Sequence, residues 1–503
     1  TVVFSLRLSL KQIRYLQKIL TDNNFSFCLA GLQSYSSLMM ILPLLFLALF
    51  FAVEFASGVA LNSSCLPMEE YDTLEQFYDG LGGDHWDWLS PASEYGGVWN
   101  FSDVAQCPCS PLWQGLKCTL DGETYRINSI ILNKYNLQGE IVNTIDQLTR
   151  LQYLELQNNN ISGTIPPSVG NLSDLVELAL FDNILHGCIP PSIVELSGLQ
   201  TLNLKGNHLS CTIPQNLGVL TSLTEVYLQS NHLTGTIPES VCSMTNLENF
   251  QVGTNSLHGS IPRNVGNMQQ LLSFAVNSNK LTNTLPPSLC NLSLLQSLTV
   301  YVNDLTGWMP PCIGALTHLT AISMMTTYVT GPLPDSIGNL TLLTTLNLRV
   351  NLLSGSLPVT IGGLKSVKLF EIQANCFTGT VPLTLSTMTS LTQFYMYSNF
   401  FEGPVAHIFD PNHQTQLTQV EMNNNAFTGI LPYNILGMPS LSVFVASVNC
   451  LHGSIPESVC DSKMLNIFAL DGASSAPACQ SDIFPAGLGI HTYALSGNQI
   501  TGT

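Results

Sequence analysis

Apolar residues recur along this chain in a fixed frame. Between Leu151 and Leu156 they fall as L-x-x-L-x-L, and an asparagine, Asn159, follows three places later. The alternation of Leu154 and Leu156 puts both side chains on one face of a short extended segment, so each unit predicts one strand with an apolar inner face. The leading residues Leu151, Leu175, Leu199, Leu223, Leu247, Leu271, Leu295, Leu319 and Leu343 are spaced by 24 residues. Val367 and Leu391 keep that step, Leu417 follows after 26, and Leu441 and Leu465 restore it. The second half of a unit ends in G-x-I-P, as in Gly163, Ile165 and Pro166. Glycine permits a tight turn there, and proline ends the short extended piece. One unit cannot bury its apolar face alone, so the units must stack. The asparagines of successive units, such as Asn159, Asn183, Asn207 and Asn231, fall where the chain turns inward, where an amide satisfies buried backbone groups of adjacent units.

This period and the frame L-x-x-L-x-L-x-x-N-x-L-x-G-x-I-P resemble the leucine-rich repeat, specifically its plant-type version, from about Ile127 to Thr503. The resemblance implies an α/β solenoid: a right-handed superhelix of about 14–15 coils, with a parallel β-sheet on its concave face and a disulfide-bearing amino-terminal cap. Plant-type ectodomains of this family sense peptides or glycans, and shorter secreted relatives inhibit wall-degrading enzymes. The expected function is therefore a non-catalytic, extracellular ligand-binding or adhesion protein that uses the concave surface. One form of it is the ectodomain of a receptor whose membrane span and kinase lie beyond Thr503. The alternative class is a structural, self-assembling extracellular protein, with a secreted enzyme inhibitor and an ice-binding protein as further readings. Expected partners are a protein, peptide or glycan, with the membrane reached only through an anchor outside the folded region.

Ahead of the repeats, Tyr71, Leu74, Phe77, Tyr78 and Leu81 recur at helical spacing and glycines follow, which predicts a short amphipathic helix. The W-x-G-L-x-C at the end of CPCSPLWQGLKC, Cys107 to Cys118, looks like the cap of plant-type ectodomains, and the preceding YDGLGGDHW is similar to secreted repeat proteins of algae and protists. Cys65, Cys107, Cys109 and Cys118 resemble a small disulfide framework. The natural pairs are Cys109 with Cys118 around Trp113, and Cys65 with Cys107, with Cys107 and Cys109 able to exchange roles. Cys188 and Cys211 lie nearly in register on adjacent coils as a further candidate pair, and Cys460 with Cys479 would staple the closing coil. Cys242, Cys290 and Cys460 take a position that other coils give to glycine, so they read as small buried residues. Tyr135 replaces the asparagine of the first coil.

The expected organisation is 1–38 leader or non-native extension, 39–60 signal peptide, 61–126 cap, 127–464 repeats, and 465–503 an irregular coil followed by a truncated further repeat. The signal rests on the apolar run Leu38–Val53 and the small residues Ala56–Ala60. The alternative is a signal anchor flanked by Arg7, Lys11, Arg14 and Lys18. Secretion would make Asn62, Asn100, Asn160, Asn171, Asn291 and Asn339 glycosylation acceptors, each beginning N-x-S/T.

Composition narrows the partners. Charged residues are 10% of the chain and hydrophobic ones 45%; after residue 60 there are 11 basic residues against 31 acidic ones. Nucleic acid is excluded as a partner because binding it requires neutralised phosphates. Nine of the acids fall between Glu69 and Asp103, with no Lys or Arg among them, and read as a solvated acidic face, with a calcium or cationic-partner site as the alternative. No phosphate loop, nucleophile elbow or H-E-x-x-H occurs, so neither catalysis nor a cofactor is expected. His208 and His232 occupy equivalent positions in neighbouring coils, but no third ligand is near and no metal is expected. Hydroxyl pairs such as Ser162/Thr164 and Thr234/Thr236 align on one flank, where Trp308, Pro332, Pro404 and Ile430 interrupt the outer row. Exposed aromatics on the concave strands mark the best binding candidates: Tyr395 and Tyr397 with Arg349, then Tyr301, Tyr227 and Phe181.

Overall fold

The computed structural model describes residues 65–470 apart from 103–106, 111, 458 and 460–463, together with 499–500. The expected signal, Asn62, Cys460 and Cys479 lie outside the described residues. Each coil contributes one short strand to a 16-stranded sheet. It opens with an antiparallel hairpin of β1 (Leu116–Asp121) and β2 (Thr124–Ile131). From β2 to Ile467–Ala469 every neighbouring pair is parallel and runs in strict order along the chain. Equivalent residues face one another, as Leu154 faces Leu178 and Leu178 faces Leu202. This is the stacked solenoid that the 24-residue period predicts.

The inward leucines are fully buried and form one continuous core. Phenylalanines that replace them stack on one another, Phe250 on Phe274 at 5.9 Å and Phe370 on Phe394 at 5.0 Å. The asparagines form the expected ladder. Asn207 Oδ1 accepts the Leu185 N–H at 3.0 Å, and its Nδ2 donates to the carbonyls of Leu180 (3.0 Å) and Leu204 (3.1 Å). Asn183 and Asn231 repeat the pattern one coil on either side. Thr327 takes the asparagine position of its coil and donates to Met324 O at 3.1 Å and to Asn351 Oδ1. Beyond the ladder the chain turns onto a flank, where Gly163 adopts a φ of 73° and the backbone forms short secondary strands. The convex side is made mainly of short 3-10 turns such as Pro167–Asn171.

The amino-terminal lid is built differently. The predicted helix runs from Met68 to Gly80 (α1) and buries Tyr71, Leu74 and Phe77. Phe77, Trp86, Trp99, Phe101 and Trp113 interlock beside it, with Phe101 edge-on to Trp113 at 4.9 Å. Two indoles find carbonyls: Trp86 Nε1 donates to Leu81 O and Trp99 Nε1 to Gln114 O, both at 2.8 Å. Tyr135, in the asparagine position of the first coil, packs edge-on to Trp88 at 5.9 Å instead of joining the ladder. Gly139 lets the first coil meet the end of α1: a Cβ there would lie 2.1 Å from Gly80 O.

Disulfides join Cys65 to Cys107, Cys109 to Cys118, and Cys188 to Cys211. A fourth bond corrects the expectation for Cys290, which is not a small buried thiol but is joined to Cys312 on the next coil. Cys242 does stay free and buried, and burial pushes its thiol up to about 12. The acidic segment also needs correcting, because Glu70 is 1% exposed rather than solvated. Its carboxylate accepts from Arg126 Nε and, at 3.0 Å, from the Ile127 N–H. At the carboxy-terminal end Gln499–Ile500 pairs in parallel with Cys450–Gly453.

Candidate functional site on the concave sheet

On each coil the third, fifth and seventh positions project from the concave face, because the fourth and sixth are drawn into the core. Adjacent strands stand about 4.8 Å apart, so equal positions form rows across the sheet. Tyr395 holds the fifth position of its coil, directly between Glu371 and Glu421 in register. Tyr397, in the seventh, lies between Gln373 and Asn423, with Ala374 N donating to Tyr397 O and Ser398 N to Asn423 O, both at 3.0 Å. Both tyrosines are half-buried. Burial pushes the Tyr395 hydroxyl above its ordinary pKa, and the carboxylates of Glu421 and Glu371 add to the shift.

Arg349 belongs to the same stretch, but not as a free cation. Its Nη1 donates to Glu371 Oε1 at 3.0 Å, and Gln373 Nε2 donates to the same oxygen at 3.3 Å. Glu421 receives only a neutral donor, Gln419 Nε2 at 2.6 Å. Two acceptors, Gln373 Oε1 and Asn423 Oδ1, are buried without a partner. The structure therefore brings Arg349, Tyr395 and Tyr397 onto one stretch of the face, beside the outward charges Glu371 and Glu421, and adds Gln373, Gln419 and Asn423, which the sequence reading did not select.

The remaining sequence-predicted residues are dispersed. Tyr301 is half-buried in the seventh-position row, two coils before Arg349. Tyr227 stands between Asn203 and Gln251 nearer the cap, and Phe181 lies nearer still. Around them the face is acidic. Burial raises the Glu177 carboxyl, and Glu155 and Glu225 raise it further.

Outside the concave face the chemistry is sparse. His208 and His232 stack with ring centroids 5.6 Å apart and 4° between their planes. Among the described residues no group of three His, Cys, Asp or Glu side chains is placed to hold a metal ion. The outer hydroxyl row of the flank is broken by Trp308, 63% exposed, and Ile430, 44% exposed. No helix among the described residues is long and apolar enough to cross a membrane.

Comparison with known proteins agrees with this geometry. Residues 130–312 match the family described as a leucine-rich repeat region. No curated protein matches the chain significantly. Among solved structures, the plant peptide hormone receptor RGFR1 in complex with RGF2 is 27% identical, with a TM-score of 0.69 over 77% of this chain and 68% of that one. The Arabidopsis receptor kinase HAESA, in complex with the peptide hormone IDA and the co-receptor SERK1, is 27% identical with a TM-score of 0.61, over 81% of this chain and 74% of that one. The ectodomain of the Arabidopsis receptor kinase GASSHO1/SCHENGEN3, in complex with CASPARIAN STRIP INTEGRITY FACTOR 2, is 29% identical with a TM-score of 0.59. That alignment covers 72% of this chain and 43% of the receptor ectodomain, so the chain spans less than half of its length. With its 24-residue frame, asparagine ladder and capped parallel sheet, the chain folds as a leucine-rich repeat solenoid and is similar to the ectodomains of these plant receptors.

Proposed function

We propose that this chain is an extracellular, non-catalytic binding protein that takes a peptide or protein ligand on its concave sheet. The observation that carries this reading is the stretch from Arg349 to Asn423, where two half-buried tyrosines stand on a rigid parallel sheet among polar groups with unused bonding capacity. Aromatic side chains held in this way bury much area on binding at little entropy cost. RGFR1 and HAESA, which share the fold, are seen in complex with the peptide hormones RGF2 and IDA. An extracellular setting is supported by the four disulfides, which persist in oxidising compartments. Asn100, Asn160, Asn171, Asn291 and Asn339 are all exposed, as glycosylation would require.

The test is selection of a random peptide display library on the purified chain, in parallel with the double variant Tyr395→Ala/Tyr397→Ala. Peptides retained by the parent should bind the variant at least tenfold more weakly, about 1.4 kcal/mol, while Tm stays the same. Equal retention by both proteins would remove the site from this part of the sheet.

A further inference from the structure

We propose that the stretch from Arg349 to Asn423 selects a cationic ligand group, a guanidinium or ammonium side chain, with Glu421 as its counter-charge and Tyr395 and Tyr397 as flanking rings. This rests on the concave face being the ligand surface and names the chemistry of what it takes.

The inference follows from an imbalance between donors and acceptors. Glu371 and Glu421 occupy equivalent places on either side of Tyr395. One of them is already neutralised, because Arg349 Nη1 lies 3.0 Å from Glu371 Oε1. That pair shows which group this surface accommodates beside a fifth-position carboxylate: a planar guanidinium reaching over from the neighbouring coil. Glu421 also stands beside Tyr395, with Val445 on its other side where Glu371 has Asn347, and it has no such partner, since its hydrogen bond at 2.6 Å comes from the uncharged amide of Gln419. None of the ion pairs among the described residues involves it.

The seventh-position row adds independent demand for donors. Gln373 is 3% exposed, and its Oε1 has no partner although its Nε2 is engaged. Asn423 Oδ1, on the other side of Tyr397, is likewise buried and unpaired. Buried acceptors left unpaired are unfavourable, and a ligand carrying several N–H donors would relieve them. An anionic ligand would instead meet the uncompensated Glu421 carboxylate and two lone acceptors. Arginine fits best, with five donors in a planar fork and a face that stacks on tyrosine rings. The excess of 31 acidic over 11 basic residues after residue 60 would draw such a ligand in at long range.

The reading fixes opposite signs for two substitutions. Glu421→Gln keeps shape and removes the charge; Arg349→Ala leaves Glu371 without its partner and opens a second cation position. End-blocked nonapeptides recovered from a random library on the purified chain serve as probes, sorted by Arg and Lys content, with melting curves of each variant as a folding control. The chain should retain peptides enriched in Arg and Lys. Glu421→Gln should weaken them at least tenfold, Glu421→Asp should restore part of the loss, and Arg349→Ala should strengthen them severalfold. Retention of neutral or acidic peptides indifferent to Glu421→Gln, or weakening by Arg349→Ala, overturns the cation assignment and leaves the concave ligand surface standing. Failure of the chain to retain any peptide better than Tyr395→Ala/Tyr397→Ala does removes the ligand site from this part of the sheet, and the cation assignment with it.

Discussion

The cap and the coils bury comparable chemistry in opposite ways. In the coils the bonds of Asn207 are made again by Asn183 and Asn231, and Leu202 is one of a long file of equivalent leucines. The cap carries no such ladder. Glu70 meets Arg126 and the Ile127 N–H once, Gln114 Nε2 ties Leu89 O at 2.7 Å once, and the interlocked indoles have no counterpart elsewhere. A repeated contact can be lost from one coil while its neighbours hold their shape, because each repeat interacts mainly with the next. A contact made once, at the end that shields the first coil, has no neighbour to compensate.

The sharpest test of that difference is Glu70→Ala, which leaves Arg126 and the Ile127 N–H without their buried partner. It should lower stability by about 3–5 kcal/mol, and hydrogen exchange should accelerate from α1 through the first coils. Glu70→Gln should lose less, since it keeps the shape and an acceptor. Burial pushes the Glu70 carboxyl above 4.5 against the pull of Arg126 and Ile127. The contribution linked to that shift is therefore present below 4.5 and lost as pH rises through the raised value. Glu70→Gln should flatten this slope in Tm measured against pH. In the coils, Asn207→Ala strands the Leu185 N–H, while the carbonyls of Leu180 and Leu204 keep the bonds donated by Asn183 and Asn231, and should destabilise by about 1–3 kcal/mol. Its faster exchange should stay within the adjoining coils; exchange spreading along the whole stack would erase the contrast with the cap. The smallest effect has the opposite sign. Val350 adopts a φ of 56° at a position where Asn158 and Gly206 adopt 59° and 64°, and a β-branched residue is strained there. Since Val350 is already 47% exposed, Val350→Asn should raise stability by about 0.5–1 kcal/mol, seen as a small increase in Tm.

The coils were legible because their information is periodic: the 24-residue step gives the stacked strands, and the recurring asparagine gives the ladder. What stayed hidden lies on the diagonal. Residues 22 apart meet across adjacent coils, as Cys290 meets Cys312, Arg349 meets Glu371, and Leu185 N meets Asn207 Oδ1. Reading the columns alone gave Cys290 and Cys242 the same role. The diagonal separates them, because the residue 22 beyond Cys242 is Asn264, not a cysteine. The glycines at that position show the approach: a Cβ on Gly266 would come within 2.0 Å of Ser288 O, again 22 residues on. In the cap the helix was legible from its apolar spacing, whereas the burial of Glu70 was not, since it depends on Arg126 being folded back from β2.

The spacing of the sheet also sets how a ligand could keep its place. Strands follow one another at about 4.8 Å, while an extended peptide laid across them advances about 6.7 Å for every two residues. The two rulers agree again only after about 33 Å, near seven strands to five residue pairs. The face and a bound chain thus act as a vernier: a side chain centred over one coil falls between rows at the next. Arg349 to Glu421 spans four consecutive coils, less than one full beat, so it can centre one ligand side chain and not a second equivalent one. A peptide slipped by two residues would find no matching seat, and its register would be held from the middle without an end-stop.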